Sequence, residues 1–184
     1  MKQSLLTYLI ITLLSLFHTI FSDENNQNIE LRIYNLKSVF VYNFTKYINW
    51  PEFEKKEFFT ITVLGDNQIF HPLKLIAEKK MVSGKKIKVK LIKTVQEIEP
   101  CEILFISGSF TDDIKIILKK INGKNVLTIG DSSGLCKKGI GICLFPHEGG
   151  VKFELSQKVL REAGLTASSQ LLKLAILVDK EGEK

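Results

Sequence analysis

Cys136, Cys143 and His147 are the side chains whose types and spacing could do chemistry. Two thiols seven residues apart can close a disulfide, or they can join an imidazole in a zinc site, which takes three or four protein ligands. A fourth ligand is not evident, and the disulfide is the stronger reading. A bridge needs Cα atoms within about 4.4 to 6.8 Å, whereas seven residues of extended chain span roughly 23 Å. The chain must therefore fold back at Lys137-Lys138-Gly139, and Gly134, Gly139 and Gly141 permit such turns. Closing so small a loop stabilises a domain by about 2 to 3 kcal/mol on the chain-entropy model. That makes a bridge here a local shape constraint, and an exposed one could act as a redox-sensitive element. Cys101 opens an apolar run and reads as a buried small hydrophobe.

Hydrolytic chemistry has less support. Gly130-Asp131-Ser132 resembles the opening of a family of serine esterases, but a nucleophilic serine needs a histidine base and an orienting acid. Only His71 and His147 lie beyond the N-terminal leader, and His147 lacks the Asp-x-x-His context of those esterases. A turn at the end of a strand explains the triplet better. Gly65-Asp66 and Ser107-Gly108-Ser109 also follow strands, yet neither has the glycine spacing of a nucleotide loop.

The compartment follows from the N-terminus. Met1 to Ser22 carries one basic residue, Lys2, and an apolar stretch from Leu5 to Phe21, then turns abruptly polar at Asp23. This pattern is that of a secretory signal peptide with cleavage near Ser22. Export makes disulfides permissible. Loss of Lys2 leaves 25 basic residues of the 26 against 20 acidic, and only Arg32 and Arg161 are arginine. Nucleic-acid sites favour arginine, so the lysines read as solvated faces and no nucleic-acid partner is expected.

The elements that must position these residues alternate in type. From Leu36, apolar residues at Val39, Phe40, Phe44 and Tyr47, with Asn43 the one polar member, predict a helix that can start near Ile29 and is ended by Pro51. Phe58 to Leu64 reads as a strand and His71 to Lys80 as a short helix. Lys85 to Lys93 alternates, placing Ile87, Val89 and Leu91 inward and lysines outward, as at a sheet edge. Glu102 to Ser107 is apolar enough for a central strand covered on both faces. Thr111-Asp112-Asp113 opens a helix through Ile114, Ile117, Leu118 and Ile121, and Val126 to Ile129 is a buried strand. Ile140 to Phe145, a turn at His147-Glu148-Gly149-Gly150, and Val151 to Leu155 form a hairpin. Ser156 caps a helix stopped by Gly164, and Ser168 or Ser169 caps a last one carrying Leu171, Leu172, Ala175 and Val178. The expected fold is α/β: a single layered domain with a largely parallel sheet flanked by helices and a C-terminal antiparallel β-hairpin. Its expected division is a signal peptide at 1–22, a lead-in at 23–35, the domain at 36–178 and a charged tail at 179–184.

Six segments together resemble the YfiR family of exported regulators: LKSVFVYNFTKYINWP, TITVLGD, VSGKKIKV, CEILFIS, VLTIGDSSGLCKKGIGICLF and VKFELSQKVLREAGLTASSQLLKLA. Their order and spacing, covering nearly all of the mature chain, carry the likeness. The resemblance implies a non-enzymatic periplasmic protein that binds the sensor domain of an inner-membrane diguanylate cyclase, represses cyclic-di-GMP synthesis and thereby biofilm formation, and is released by an outer-membrane lipoprotein. It pairs Cys136 with Cys143. Cys101 matches one member of a second family pair whose partner is absent from FFTITVL, so a free thiol is expected there. The expected contact surface comprises Phe153, Glu154 and Arg161 around the hairpin, with Tyr42 and Trp50 on or just after the first helix. A homodimer is a further possible assembly. No cofactor or metal is expected. The alternative reading is a periplasmic small-ligand binding module feeding a sensor kinase or transporter, with its pocket near Gly65-Asp66 and Ser107-Gly108.

Overall fold

A computed structural model describes residues 27–178 apart from 52, 66 and 67. The predicted signal peptide and the tail from Asp179 lie outside the described residues.

The chain enters on a helix, α1, that is already formed at residue 27 and runs to 47. Its buried face matches the one the hydropathy pattern picked only in part. Ile33, Lys37, Ser38, Val41, Phe44 and Thr45 are buried, Phe40 and Tyr47 of the predicted stripe pack partly buried against the core, and Val39 is 47% exposed. The real stripe keeps helical spacing but contains a lysine and a threonine, which an apolar template skips.

Strand β1 (Ile48–Asn49) follows directly, and Pro51 sits in the turn beyond it. Then come β2 (Phe59–Leu64), α2 (Phe70–Lys79), β3 (Met81–Val82), β4 (Lys85–Ile92), β5 (Ile103–Ile106), α3 (Ile114–Ile121) and β6 (Leu127–Gly130). The hairpin is β7 (Ile142–His147) and β8 (Gly150–Leu155), followed by α4 (Gln157–Glu162), β9 (Thr166–Ala167), α5 (Ser169–Leu174) and β10 (Ile176–Leu177).

Eight strands form one sheet in the order β10-β8-β7-β6-β5-β2-β4-β3. The run β4-β2-β5-β6-β7 is parallel, β8 is antiparallel to β7, and β10 returns parallel to β8. β1 and β9 pair separately and antiparallel. The lysine strand β4 is near the edge as expected, capped only by the two residues of β3. The hairpin turns through Glu148 and Gly149, both at positive φ (48° and 73°), the geometry of a tight two-residue turn.

The last predicted helix is cut short. Ser168 caps it by accepting from the Leu171 N–H, but it ends at Leu174, and Ile176 and Leu177 extend alongside Glu154 and Leu155. The open edge of β8 offers backbone partners, and the Val178 N–H takes up the Leu155 carbonyl at 3.2 Å.

Strand alternation divides the core. Ile61, Val63, Ile103, Phe105, Leu127, Ile129, Ile142 and Leu144 face α1, α2, α4 and α5. Leu64, Leu104, Ile106 and Cys143 face α3, with Cys101 and Cys136 on that same side.

Candidate functional site

The site forms where the parallel strands end and the hairpin begins. After β6 the chain passes Gly134 at φ 79°, makes one short 3₁₀ turn, Leu135–Lys138, and leaves through Gly139 at φ 99°. A side chain at Gly139 would be strained by that angle and would also sit 2.8 Å from Leu118 Cδ1. This double reversal is the expected fold-back. It brings the Cα atoms of Cys136 and Cys143 to 6.0 Å, and the two sulfurs are bonded. Both cysteines are buried.

Glu154 joins them. It is the register partner of Cys143 across the hairpin, and its Oε2 accepts the Gly134 N–H at 2.8 Å. One sulfur of each cysteine and one Glu154 oxygen all lie within 4.8 Å of one another. His147 is not in this group. It sits beside the hairpin turn, partly exposed, with Nε2 3.6 Å from Glu148. The third group beside the sulfurs is thus a carboxylate rather than the imidazole the sequence suggested.

A second cluster lies next to it and was missed by the sequence reading. Asp131, immediately after β6, forms an ion pair with Lys37 and accepts from the Tyr34 hydroxyl at 2.8 Å. Both charged side chains are over nine-tenths buried, so α1 is fastened to the sheet by a pair whose separation would strand a charge. The legible signal was Lys37 itself, four residues after Ile33 and four before Val41, on what proves to be the inward face. Asp131 is therefore a structural acid engaged with Lys37. Among the described residues, no hydrogen bond joins Ser132 to His147, and His71 is exposed on α2.

Cys101 is the free thiol, buried two residues ahead of β5. Burial pushes it up to about 11, with hydrogen bonding to Thr62 opposing the rise. A thiol so shifted is unreactive at neutral pH.

The expected contact residues are not all on the surface. Trp50 is buried, its indole N–H donating to the Glu102 carbonyl at 3.1 Å and its ring set edge-on to Phe59 at 5.1 Å. Phe153 is buried between Phe44 (5.2 Å) and Phe40 (6.0 Å). Both are core residues, which corrects their placement on an exposed face: large aromatic area was more favourably buried under α1. Tyr42 is half-buried beneath Lys46, whose Nζ is 4.6 Å from the ring centre, Glu154 is half-buried, and Arg161 is exposed.

These segments coincide with a known pattern. The sequence profile of the YfiR/HmsC-like family matches residues 34–176, from α1 to β10. The chain belongs to the YfiR/HmsC-like family. That family is one of periplasmic regulators in cyclic-di-GMP signalling, regulatory rather than catalytic in character. Among the described residues no helix is long and apolar enough to cross a membrane. No curated protein matches the chain. Among solved structures it is similar to an ABC domain from Streptococcus pneumonia crystallised with L-Trp, at 12% identity and a TM-score of 0.50. That match covers 65% of this chain and 56% of the other. A conserved domain protein from Vibrio cholerae O1 biovar El Tor matches at 13% identity and a TM-score of 0.50, over 65% and 54% of the two chains. This YfiR/HmsC-like chain thus spans little more than half the length of each, and at such identities the likeness concerns the fold.

Proposed function

We propose that this YfiR/HmsC-like protein is a periplasmic signalling inhibitor that binds the sensor domain of an inner-membrane diguanylate cyclase, represses cyclic-di-GMP synthesis, and is released by an outer-membrane lipoprotein. The observation that carries this reading is the family match over nearly every described element. Inhibition by contact needs no reacting groups; the inhibitor has only to bind one conformation of the sensor more tightly than the other.

The contact surface we assign keeps Tyr42, Glu154 and Arg161 and gains the end of α5 and the outer edge of β10, which among the described residues pairs only with β8. On β10 Ile176 is 48% exposed and lies beside Glu154 in register, and Leu174, the last residue of α5 just before it, is 74% exposed. An open strand edge with exposed apolar side chains is suited to pairing with another chain. The same edge could also carry a homodimer, which would then compete with the cyclase. A small-ligand module would instead need an open crevice at the carboxyl ends of β2 and β5. Phe110 packs there so closely that a Cβ on Gly65 would lie 2.4 Å from its ring.

The test is capture of the cyclase's purified periplasmic sensor domain by the mature chain. Wild type is expected to retain it, while Leu174→Asp with Ile176→Asp loses it and keeps its circular dichroism. Equal retention by both proteins would remove β10 from the interface. Failure of the wild type with its bridge intact would overturn the function.

A further inference from the structure

We propose that reduction of the Cys136–Cys143 bridge turns this corner of the hairpin into a binding site for a divalent cation of the zinc class, held by the two cysteine thiolates and the Glu154 carboxylate. The reading concerns the isolated chain and does not depend on the cyclase. Its basis is the grouping of two sulfurs and one carboxylate oxygen within 4.8 Å. Zinc–sulfur bonds of about 2.3 Å and zinc–oxygen bonds of about 2.0 to 2.2 Å place neighbouring tetrahedral ligands roughly 3.5 Å apart. The two sulfurs must part from bonding distance to that spacing once the bridge is reduced, and the carboxylate oxygen needs to close in by only about an ångström.

The framework suits that movement. Cys143 and Glu154 are register partners on adjacent strands and are fixed relative to one another. Cys136 rides on the short turn between Gly134 and Gly139, both left-handed, so its sulfur can separate from Cys143 without disturbing the sheet. The Gly134 N–H already holds Glu154 Oε2 at 2.8 Å. That leaves the second carboxylate oxygen for the metal, in the manner of an outer partner that orients a ligand. Two thiolates and a carboxylate bring three negative charges to a dipositive ion, and the half-buried Glu154 leaves a fourth position open to water.

The chemistry balances with a dithiol as reductant. Its thiolate attacks one sulfur and the Cys136–Cys143 bond breaks. Two electrons pass to the cysteines as the dithiol closes its own disulfide, and the cysteines gain two protons. Cation binding then releases those two protons as both sulfurs ligate as thiolates. The same pair of cysteines would fasten the turn by a covalent bond when oxidised and by a metal when reduced.

The experiment measures zinc affinity of the full mature chain against a chromophoric chelator, oxidised and after reduction by a dithiol that is then removed under anaerobic conditions. The expected result is one zinc per reduced chain and none per oxidised chain, with Cys143→Ser losing the site. Glu154→Gln should weaken it by about tenfold or more, since even outer-shell partners are worth that much. Zinc uptake by the reduced chain no greater than by the oxidised chain would overturn the proposal. So would equal affinity of Glu154→Gln and wild type, because a dithiol in an unfolded chain would not sense Glu154.

Discussion

The two faces of the central sheet are built from different materials. The face under α1 collects the aromatic residues Phe44, Trp50, Phe59, Phe105 and Phe153 together with Leu160 and Leu171. The buried residues of the face under α3 are aliphatic apart from all three cysteines, with Phe110 packed at its margin. The aromatic face closes on large apolar area, whose loss is felt by the whole domain. The sulfur face carries groups that respond to redox state and pH. Stability and responsiveness are thereby separated by one layer of strands, and single substitutions can address either side.

The largest expected effect lies on the aromatic side. Phe44 is 1% exposed and meets Phe40 and Phe153. Phe44→Ala should destabilise the fold by about 3 to 5 kcal/mol, read from urea unfolding. A loss under about 1 kcal/mol would mean that the face under α1 is not the one that sets global stability.

Next is the link between the two sides. Asp131 ties α1 to the loop that leads into the disulfide turn, so Asp131→Ala strands the Lys37 charge and should cost about 3 kcal/mol. The double variant Lys37→Met with Asp131→Leu removes both charges and should recover most of that loss. If the double variant is as unstable as the single, the pair is not what anchors the helix.

The smallest effect belongs to Cys101 and appears only in alkali. Its folded value of about 11 lies above the ordinary 9.0 of a free thiol. The fold therefore favours the protonated form, and the contribution is complete below pH 9. It is lost as pH rises through 11, amounting to about 2 to 3 kcal/mol at the rate of 1.36 per pK unit. Wild type should lose more stability than Cys101→Val between those limits, and the native thiol should resist alkylation at pH 8 until the chain is unfolded. Parallel pH profiles for the two proteins would contradict the burial argument.

Most of the architecture was legible because the strands declare themselves. Ile103 to Ile106 is apolar at every position and is buried at every position, and Glu148-Gly149 marks a tight turn. What stayed hidden required a tertiary partner. Lys37 faces inward only because Asp131 waits there, so the helix face read from apolar residues alone was rotated toward Val39. Ile176 and Leu177 leave the helical pattern because β8 has an edge to fill, and the two-residue pairing of Ile48 with Ala167 is too short to leave a period. At the candidate site, the cysteine spacing was readable in one dimension. The arrival of Glu154 beside the sulfurs depended on hairpin register, which set Cys143 opposite it.

Contact inhibition in the periplasm is tested most directly by cyclic-di-GMP formation from GTP in membranes carrying the cognate cyclase, with its periplasmic domain accessible to added protein. The mature chain with its bridge intact should lower that rate saturably, and the variant carrying Leu174→Asp and Ile176→Asp should not. An unchanged rate at saturating wild-type chain would contradict the central claim.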